Sequence, residues 1–277
     1  MNLSELFEKS EGNEFTTFPK SLDAYEGYKP VLIFIISAII ALALSAVIYL
    51  FIGGSKDPII NIIFTSLTVI TMIPALYIAT KLMYNIPFST QIAPIRKWNW
   101  SIYIKTLIIT LIVYLIMTCL EAFFSGKSIA NKLTIVTFLL FLILPLFQGF
   151  SEEYLCRGFL MQSFGSWIKI PILAIIIQSA VFTSMHTYNL VALTSVLCTG
   201  LLYGLITWYG QGLEASSAMH AANNIFAFLT LGFGLQESIA GSGITELLIN
   251  IVTMVIPIVI IIVLDKKYGW GLKTDVN

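Results

Sequence analysis

Three short polar patterns stand out in an otherwise apolar sequence, because their residue types could activate a water molecule and bind a negatively charged oxygen. In chain order they are Glu152-Glu153-x-x-x-Arg157, Phe182-x-x-x-His186 and His220-x-x-x-Asn224. The two histidines are the only ones among the 277 residues. Hydrolases that use general acid–base chemistry combine carboxylate, imidazole and amide groups in one site.

The first pattern provides two carboxylates with different surroundings. Glu153 and Arg157 are four residues apart with the acid first, so on a helix they share a face and can pair. Glu152 points about 100° away from Glu153, and no second arginine lies nearby in the sequence. The carboxylate of Glu152 therefore has no nearby counter-charge and can accept a proton from water, which makes Glu152 the candidate general base. The alternative is a fully paired structural cluster near a helix end.

The two histidine patterns also place side chains on common helix faces. The ring of Phe182 can pack on the imidazole of His186 and limit its rotation; the alternative is a histidine that only forms a hydrogen bond at a helix end. His220 and Asn224 can direct two donors to one point, as stabilisation of an oxyanion requires. Here the alternative is interhelical hydrogen bonding without catalysis. Asn223 faces elsewhere, so the spacing favours Asn224.

The elements that position these residues are membrane helices. The chain is 57% hydrophobic and 11% charged, and apolar runs of about 20 residues, enough to cross a bilayer, recur along it. The predicted fold is an all-α, polytopic transmembrane bundle. Its eight predicted spans are Pro30–Ile52, Pro58–Thr80, Ser101–Leu120, Leu133 to about Met161, Pro171–His186, Asn189–Tyr209, Leu213–Leu231 and Ile244–Leu264.

The distribution of charged residues predicts the division of the chain into tails and membrane domain, and the orientation of the bundle in the membrane. Residues 1–29 form a polar N-terminal tail rather than a cleaved signal, residues 30–264 the membrane domain, and residues 265–277 a C-terminal tail. With the N-terminus inside, 12 of the 15 Lys and Arg residues fall on the cytoplasmic side, so both tails are predicted to be cytoplasmic. Net charge is zero and no basic block exceeds a dipeptide, so nucleic acid is excluded as a partner.

Helix rise gives the expected depth of the polar residues. If the fourth helix ends near Met161, Glu152 lies about 14 Å from its cytoplasmic end, whereas His186 lies about 22 Å past Pro171. These depths agree only if the fifth helix starts low or tilts. With that condition, the three patterns are expected to converge on one polar pocket in the cytoplasmic half of the bilayer.

At these residues the sequence resembles the CAAX protease and bacteriocin-processing family, also called the Abi or CPBP family. The family pattern of EExxxR, FxxxH and Hxxx(N/D) is present in order, and the resemblance covers about residues 133–231. The resemblance implies an eight-helix fold and proteolysis within the membrane. It also implies that Glu152 and His186 activate water, while His220 and Asn224 stabilise the oxyanion.

The interpretation that follows is an intramembrane endopeptidase in the cell membrane. Its expected partners are the lipid bilayer and a membrane-associated or lipidated peptide or protein substrate, of CAAX, bacteriocin-like or signalling type. The alternative is a non-catalytic protein for bacteriocin self-immunity, scaffolding or transport. A metal-free mechanism is favoured, because no HExxH motif is present. The other option is a zinc ion bound by Glu152, His186 and His220.

Overall fold

The computed structural model describes residues 3–236 and 243–272 and confirms an all-α membrane bundle with no strand in those residues. The predicted C-terminal tail beyond residue 272, with Lys273 of the charge count, and residues 1–2 of the N-terminal tail lie outside these ranges. The helices are α1 (Lys29–Ile52), α2 (Pro58–Ile70), α3 (Met72–Tyr84), α4 (Phe88–Ile92), α5 (Trp100–Ser125), α6 (Ile135–Glu153), α7 (Gln162–Ile168), α8 (Pro171–Ser184), α9 (Leu190–Gly210), α10 (Glu214–Gly232) and α11 (Ile244–Tyr268).

Each of the eight predicted spans corresponds to a helix or to a nearly continuous pair of helices. Within the described residues, six such segments are long and apolar enough to cross a membrane. The other two are α8, which is short, and α10, which carries the polar residues of the third pattern. Large apolar side chains on α1 and α5 are exposed on the protein surface, as expected for helices that face lipid.

Local sequence signals explain where the helices begin. Asp57, Asn99 and Asn189 each precede a helix and accept hydrogen bonds from backbone N–H groups of its first turn. Thr134 starts α6 through a reciprocal capping box with Thr137. These caps satisfy orphan donors at four helix starts, where the chain re-enters an apolar environment.

The fourth span is longer than the sequence prediction. After α6 the chain continues through a π-helix (Tyr154–Met161) directly into α7. The continuous apolar helical segment therefore runs from Ile135 to Ile168. It stops only at Lys169, which adopts a left-handed conformation with φ of 67°, two residues before Pro171. The predicted end near Met161 was therefore wrong, because that position carries no helix-breaking residue.

Helix α10 lies at the centre of the bundle and packs on α5, α6 and α9. Its first half is fully buried and rich in alanine and serine, and such small residues allow membrane helices to approach closely. At the contact with α6, a Cβ added to Gly149 would lie 2.8 Å from the backbone nitrogen of Ala221. Glycine at this position therefore allows the close approach that brings the first and third patterns together.

The N-terminal segment (residues 3–28) is packed against the bundle. Phe15 is fully buried, and its N–H donates to Oε1 of Gln211 at 2.6 Å. The backbone of Thr16 fits against Gly165, where an added Cβ would lie 2.2 Å from the Thr16 carbonyl oxygen. The segment thus covers the ends of α7 and α9 on the side of the bundle that carries the N-terminus.

Candidate active site

Glu152 and Glu153 are the last two residues before the π-helix, and Arg157 lies within it. Such wide turns are rare and frequently occur at functional sites, because they redirect side chains inside a long helix. The predicted pair is present: Nη1 of Arg157 lies 2.8 Å from Oε1 of Glu153, and both side chains are fully buried. Nη2 of Arg157 donates to the carbonyl oxygen of Gly200 on α9 at 3.1 Å.

Glu153 has a second partner that the spacing did not predict. Nδ1 of His220 lies 2.8 Å from the same Oε1 of Glu153. Because a carboxylate oxygen only accepts, Nδ1 of His220 carries the proton and the ring orientation is fixed. The Arg157 guanidinium also lies over the Phe182 ring at 4.8 Å. The buried Glu153–Arg157 pair therefore connects the first sequence pattern with the other two.

The other nitrogen of His220 faces the candidate base. Its Nε2 lies 3.5 Å from Oε2 of Glu152, whose side chain is 15% exposed. Oε1 of Glu152 accepts from Nε2 of Gln148 at 3.3 Å. A protonated His220 would balance the charge of this cluster, since two carboxylates then face one guanidinium and one imidazolium, and buried charges are favourable only when paired. At 3.5 Å this contact is too long for a strong hydrogen bond, so Nε2 of His220 remains available to a substrate group.

His186 lies just beyond the end of α8. Its Nδ1 is 2.9 Å from the carbonyl oxygen of Phe182, and the two rings are 4.8 Å apart in an edge-on arrangement. A carbonyl oxygen only accepts, so Nδ1 carries the hydrogen in the neutral ring and Nε2 presents a free lone pair. The predicted packing of Phe182 on His186 is present, and it leaves the second nitrogen available to accept a proton or a hydrogen bond.

Asn224 is oriented by a chain of hydrogen bonds. The Tyr114 hydroxyl donates to Oδ1 of Asn223 at 3.0 Å, and Nδ2 of Asn223 donates to Oδ1 of Asn224 at 3.1 Å. With its oxygen engaged, Asn224 has its amide N–H groups free to donate. The sequence did not indicate Tyr114 at all and ranked Asn223 as the weaker candidate. Neither role has a local signal, since Tyr114 and Asn223 are separated by 109 positions.

Glu152, His186, His220 and Asn224 all line one cavity of about 370 Å³, together with Phe182. Glu153 and Arg157 lie behind it, fully buried. The structure thus separates the predicted residues into a set that faces the cavity and a supporting pair that fixes the orientation of His220. A water molecule or a substrate carbonyl in the cavity has access to a carboxylate, two imidazoles and an amide.

The revised helix ends also resolve the depth problem. Glu152 lies 16 residues before Ile168 and His186 lies 15 residues after Pro171, so both are similarly far along the chain from the turn between α7 and α8. The depth of His220 cannot be measured in the same way from the start of α10. That helix begins inside the protein, since its first residue, Glu214, is fully buried. Tyr114, which contacts the site, is near the middle of α5. The site therefore lies near mid-depth of the bundle.

The zinc alternative needs three ligands around one point. Within residues 3–236 and 243–272, no group of three or more His, Cys, Asp or Glu side chains is arranged to hold a metal ion. Glu152 and His220 are close enough to share an ion, but His186 does not form a three-ligand group with them. As placed, the residues do not fit the three-ligand site.

Two comparisons with known proteins bear on this site. Residues 134–226 match the family described as type II CAAX prenyl endopeptidase Rce1-like, which confirms the CPBP resemblance over the segment that carries all three patterns. An uncharacterised protein, YyaK of Bacillus subtilis (strain 168), is 25% identical over 186 residues. That alignment covers 62% of this chain and 61% of the relative's length.

Proposed function

We propose that this protein is an intramembrane endopeptidase that hydrolyses a peptide bond with water activated by Glu152 and His186. The observation that carries the proposal is the shared cavity, in which a carboxylate and a free imidazole nitrogen face a second imidazole and an oriented amide. The match of residues 134–226 to a CAAX endopeptidase family supports the same reaction class.

The geometry suggests a role for each group. Glu152 takes a proton from water while Nε2 of His186 accepts a hydrogen bond from the same molecule, and the resulting hydroxide attacks the scissile carbonyl carbon. Nε2–H of a protonated His220 and the amide of Asn224 donate to the oxyanion of the tetrahedral intermediate. As the C–N bond breaks, the proton held by Glu152 passes to the leaving amine. The products are a carboxylic acid and an amine.

The substrate is proposed to be a membrane-associated peptide or protein. Purified protein in proteoliposomes, incubated with a labelled peptide library and analysed by mass spectrometry, tests activity and specificity together. Products that appear with the wild type and disappear with Glu152→Gln support the proposal. Absence of any cleavage, with folded protein and a diverse library, would favour the non-catalytic immunity, scaffold or transport alternative.

Activity is expected to survive removal of metal ions, because no step of the proposed reaction uses one and the three presumed zinc ligands do not converge. If zinc did bind Glu152 and both histidines, Asn224 alone would remain for the oxyanion. Treatment with a strong chelator, followed by metal analysis and assay, is the measurement. Loss of activity that stoichiometric zinc restores would contradict the metal-free mechanism and leave the peptidase assignment intact.

Tyr114→Phe is expected to lower kcat by about tenfold with little change in KM, because its hydroxyl fixes the amide orientations of Asn223 and Asn224 and one such bond contributes about 1 kcal/mol. The same substitution in an Asn224→Ala background should have almost no effect, since the amide to be oriented is gone. An equal loss in both backgrounds would show that Tyr114 acts through general packing instead.

A further inference from the structure

The cavity extends from the candidate reacting groups to the face of the bundle opposite the N-terminal segment. Its outer lining comes from the start of α2, the end of α5, the end of α10 and the start of α11, all of which reach that face. These outer lining residues include Asn61, Glu121, Thr230, Gln236 and Asn250. Within the described residues, the N-terminal segment and α1, α3, α4 and α7 contribute no residue to the lining.

The opposite side of the site is closed by buried packing. Arg96, just before α5, forms a bidentate ion pair with the fully buried Glu214 at the start of α10, with distances of 2.5 and 2.8 Å. The N–H of Leu213 donates to the carbonyl oxygen of Ile92 at 3.0 Å. Trp208 and Gln211, at the end of α9, are also buried, and Oε1 of Gln211 accepts from the N–H of Phe15 in the N-terminal segment. A peptide therefore has no route to Glu152 from this side.

The basic residues show which face is cytoplasmic. Arg157, included in the sequence count, is buried inside the bundle and paired with Glu153, so it says nothing about orientation. Of the other described Lys and Arg residues, Lys56, Lys127 and Lys132 flank the open face. Ten lie on the closed face: Lys9, Lys20, Lys29, Lys81, Arg96, Lys97, Lys105, Lys169, Lys266 and Lys267. By the positive-inside rule, the closed face is cytoplasmic.

We infer that the cavity receives its substrate from the extracytoplasmic side of the membrane, and that it holds an extended polypeptide rather than an isoprenoid chain. The second part follows from the polar side chains that line the cavity from its floor, at Glu152 and Asn224, to its mouth, at Asn61 and Asn250. A lipid chain there would leave buried donors and acceptors without partners, whereas a peptide backbone supplies them. The substrate class rests on the proposed function; the direction of access does not.

Cysteine labelling tests the direction of access without any assay of activity. In a Cys119→Ser, Cys198→Ser background, the remaining Cys156 is 1% exposed. Asn250→Cys then places one reactive thiol in the outer cavity, and Asn13→Cys places a matched thiol on the exposed surface of the N-terminal segment. A membrane-impermeant maleimide added to intact cells should label Asn250→Cys at least about tenfold more than Asn13→Cys, and permeabilisation should equalise them. The reverse pattern, or no labelling of Asn250→Cys in either condition, would overturn the inference.

A pair of peptides tests the substrate class. A peptide cleaved in the library screen is synthesised with and without a farnesylated cysteine, and both forms are assayed in proteoliposomes. The two kcat/KM values are expected to agree within about threefold, because the cavity recognises the polypeptide. Cleavage that depends on Glu152 but favours the farnesylated form by more than about tenfold would reject the substrate class and leave the endopeptidase proposal standing. No Glu152-dependent cleavage of any peptide would reject both.

Discussion

Glu152→Gln is expected to reduce kcat by about 10²- to 10⁴-fold, the contribution typical of a positioned general base. The substitution keeps the shape of the side chain and its position at the cavity surface, where it is 15% exposed. It removes the ability to take a proton from water. Because the contact to His220 is long, at 3.5 Å, and the side chain is not part of the buried ion pair, the midpoint of thermal unfolding should change little.

Glu153→Gln is the informative comparison, because it is the same chemical change one residue away. Glu153 is fully buried and binds both Arg157 and His220 at 2.8 Å. Its substitution leaves a buried guanidinium without a counter-charge, at a cost of about 3–5 kcal/mol. A lower unfolding temperature is therefore expected along with any loss of turnover. Equal loss of turnover in the two variants, with unchanged unfolding temperatures, would contradict the division into base and positioning residue. Glu8→Gln, on the exposed N-terminal segment, controls for the change of charge.

The sequence was sufficient for the features that depend on neighbouring residues. Apolar length predicted the eight helical segments, and i,i+4 spacing predicted the Glu153–Arg157 ion pair and the packing of Phe182 on His186. Each of these contacts is made inside one helix or just past its end, so its geometry follows from helix periodicity alone.

Contacts between distant parts of the chain cannot be predicted from helix periodicity. His220 and Glu153 are 67 positions apart, Arg96 and Glu214 are 118 apart, and Phe15 and Gln211 are 196 apart. Which helix faces meet depends on close packing at positions such as Gly149, and no local pattern encodes it. The π-helix after Glu153 was missed for a related reason, because its extra residue per turn has no single-residue signature.

Local spacing and long-range contacts together explain why the proposed mechanism gives the two histidines different tasks. Each ring has its Nδ1–H fixed by an oxygen, but the oxygen differs. A neutral carbonyl holds His186 and leaves it a proton acceptor at Nε2. A buried carboxylate holds His220 and favours its protonated form, with Nε2–H as a donor. In the proposed mechanism, this difference in partners is the reason why His186 acts on the water and His220 on the oxyanion.

Asn224→Ala is expected to lower kcat by about 10²- to 10³-fold with little change in KM, because an oxyanion donor acts mainly in the transition state. In the free protein the side chain only accepts one hydrogen bond from Asn223 at 3.1 Å, so its removal should cost about 1 kcal/mol or less of stability.

Asn250→Ala provides a matched control, since this amide lines the outer part of the same cavity and lies on α11, away from the reacting groups. It is expected to change KM at most, with kcat preserved. Steady-state kinetics of both variants on one peptide, with unfolding temperatures measured in the same detergent, separate the two effects. A rise in KM with unchanged kcat for Asn224→Ala would mean that this amide binds the ground-state peptide. In that case His220 would be the principal donor to the oxyanion, and the chain of hydrogen bonds from Tyr114 would serve substrate binding instead of the chemical step.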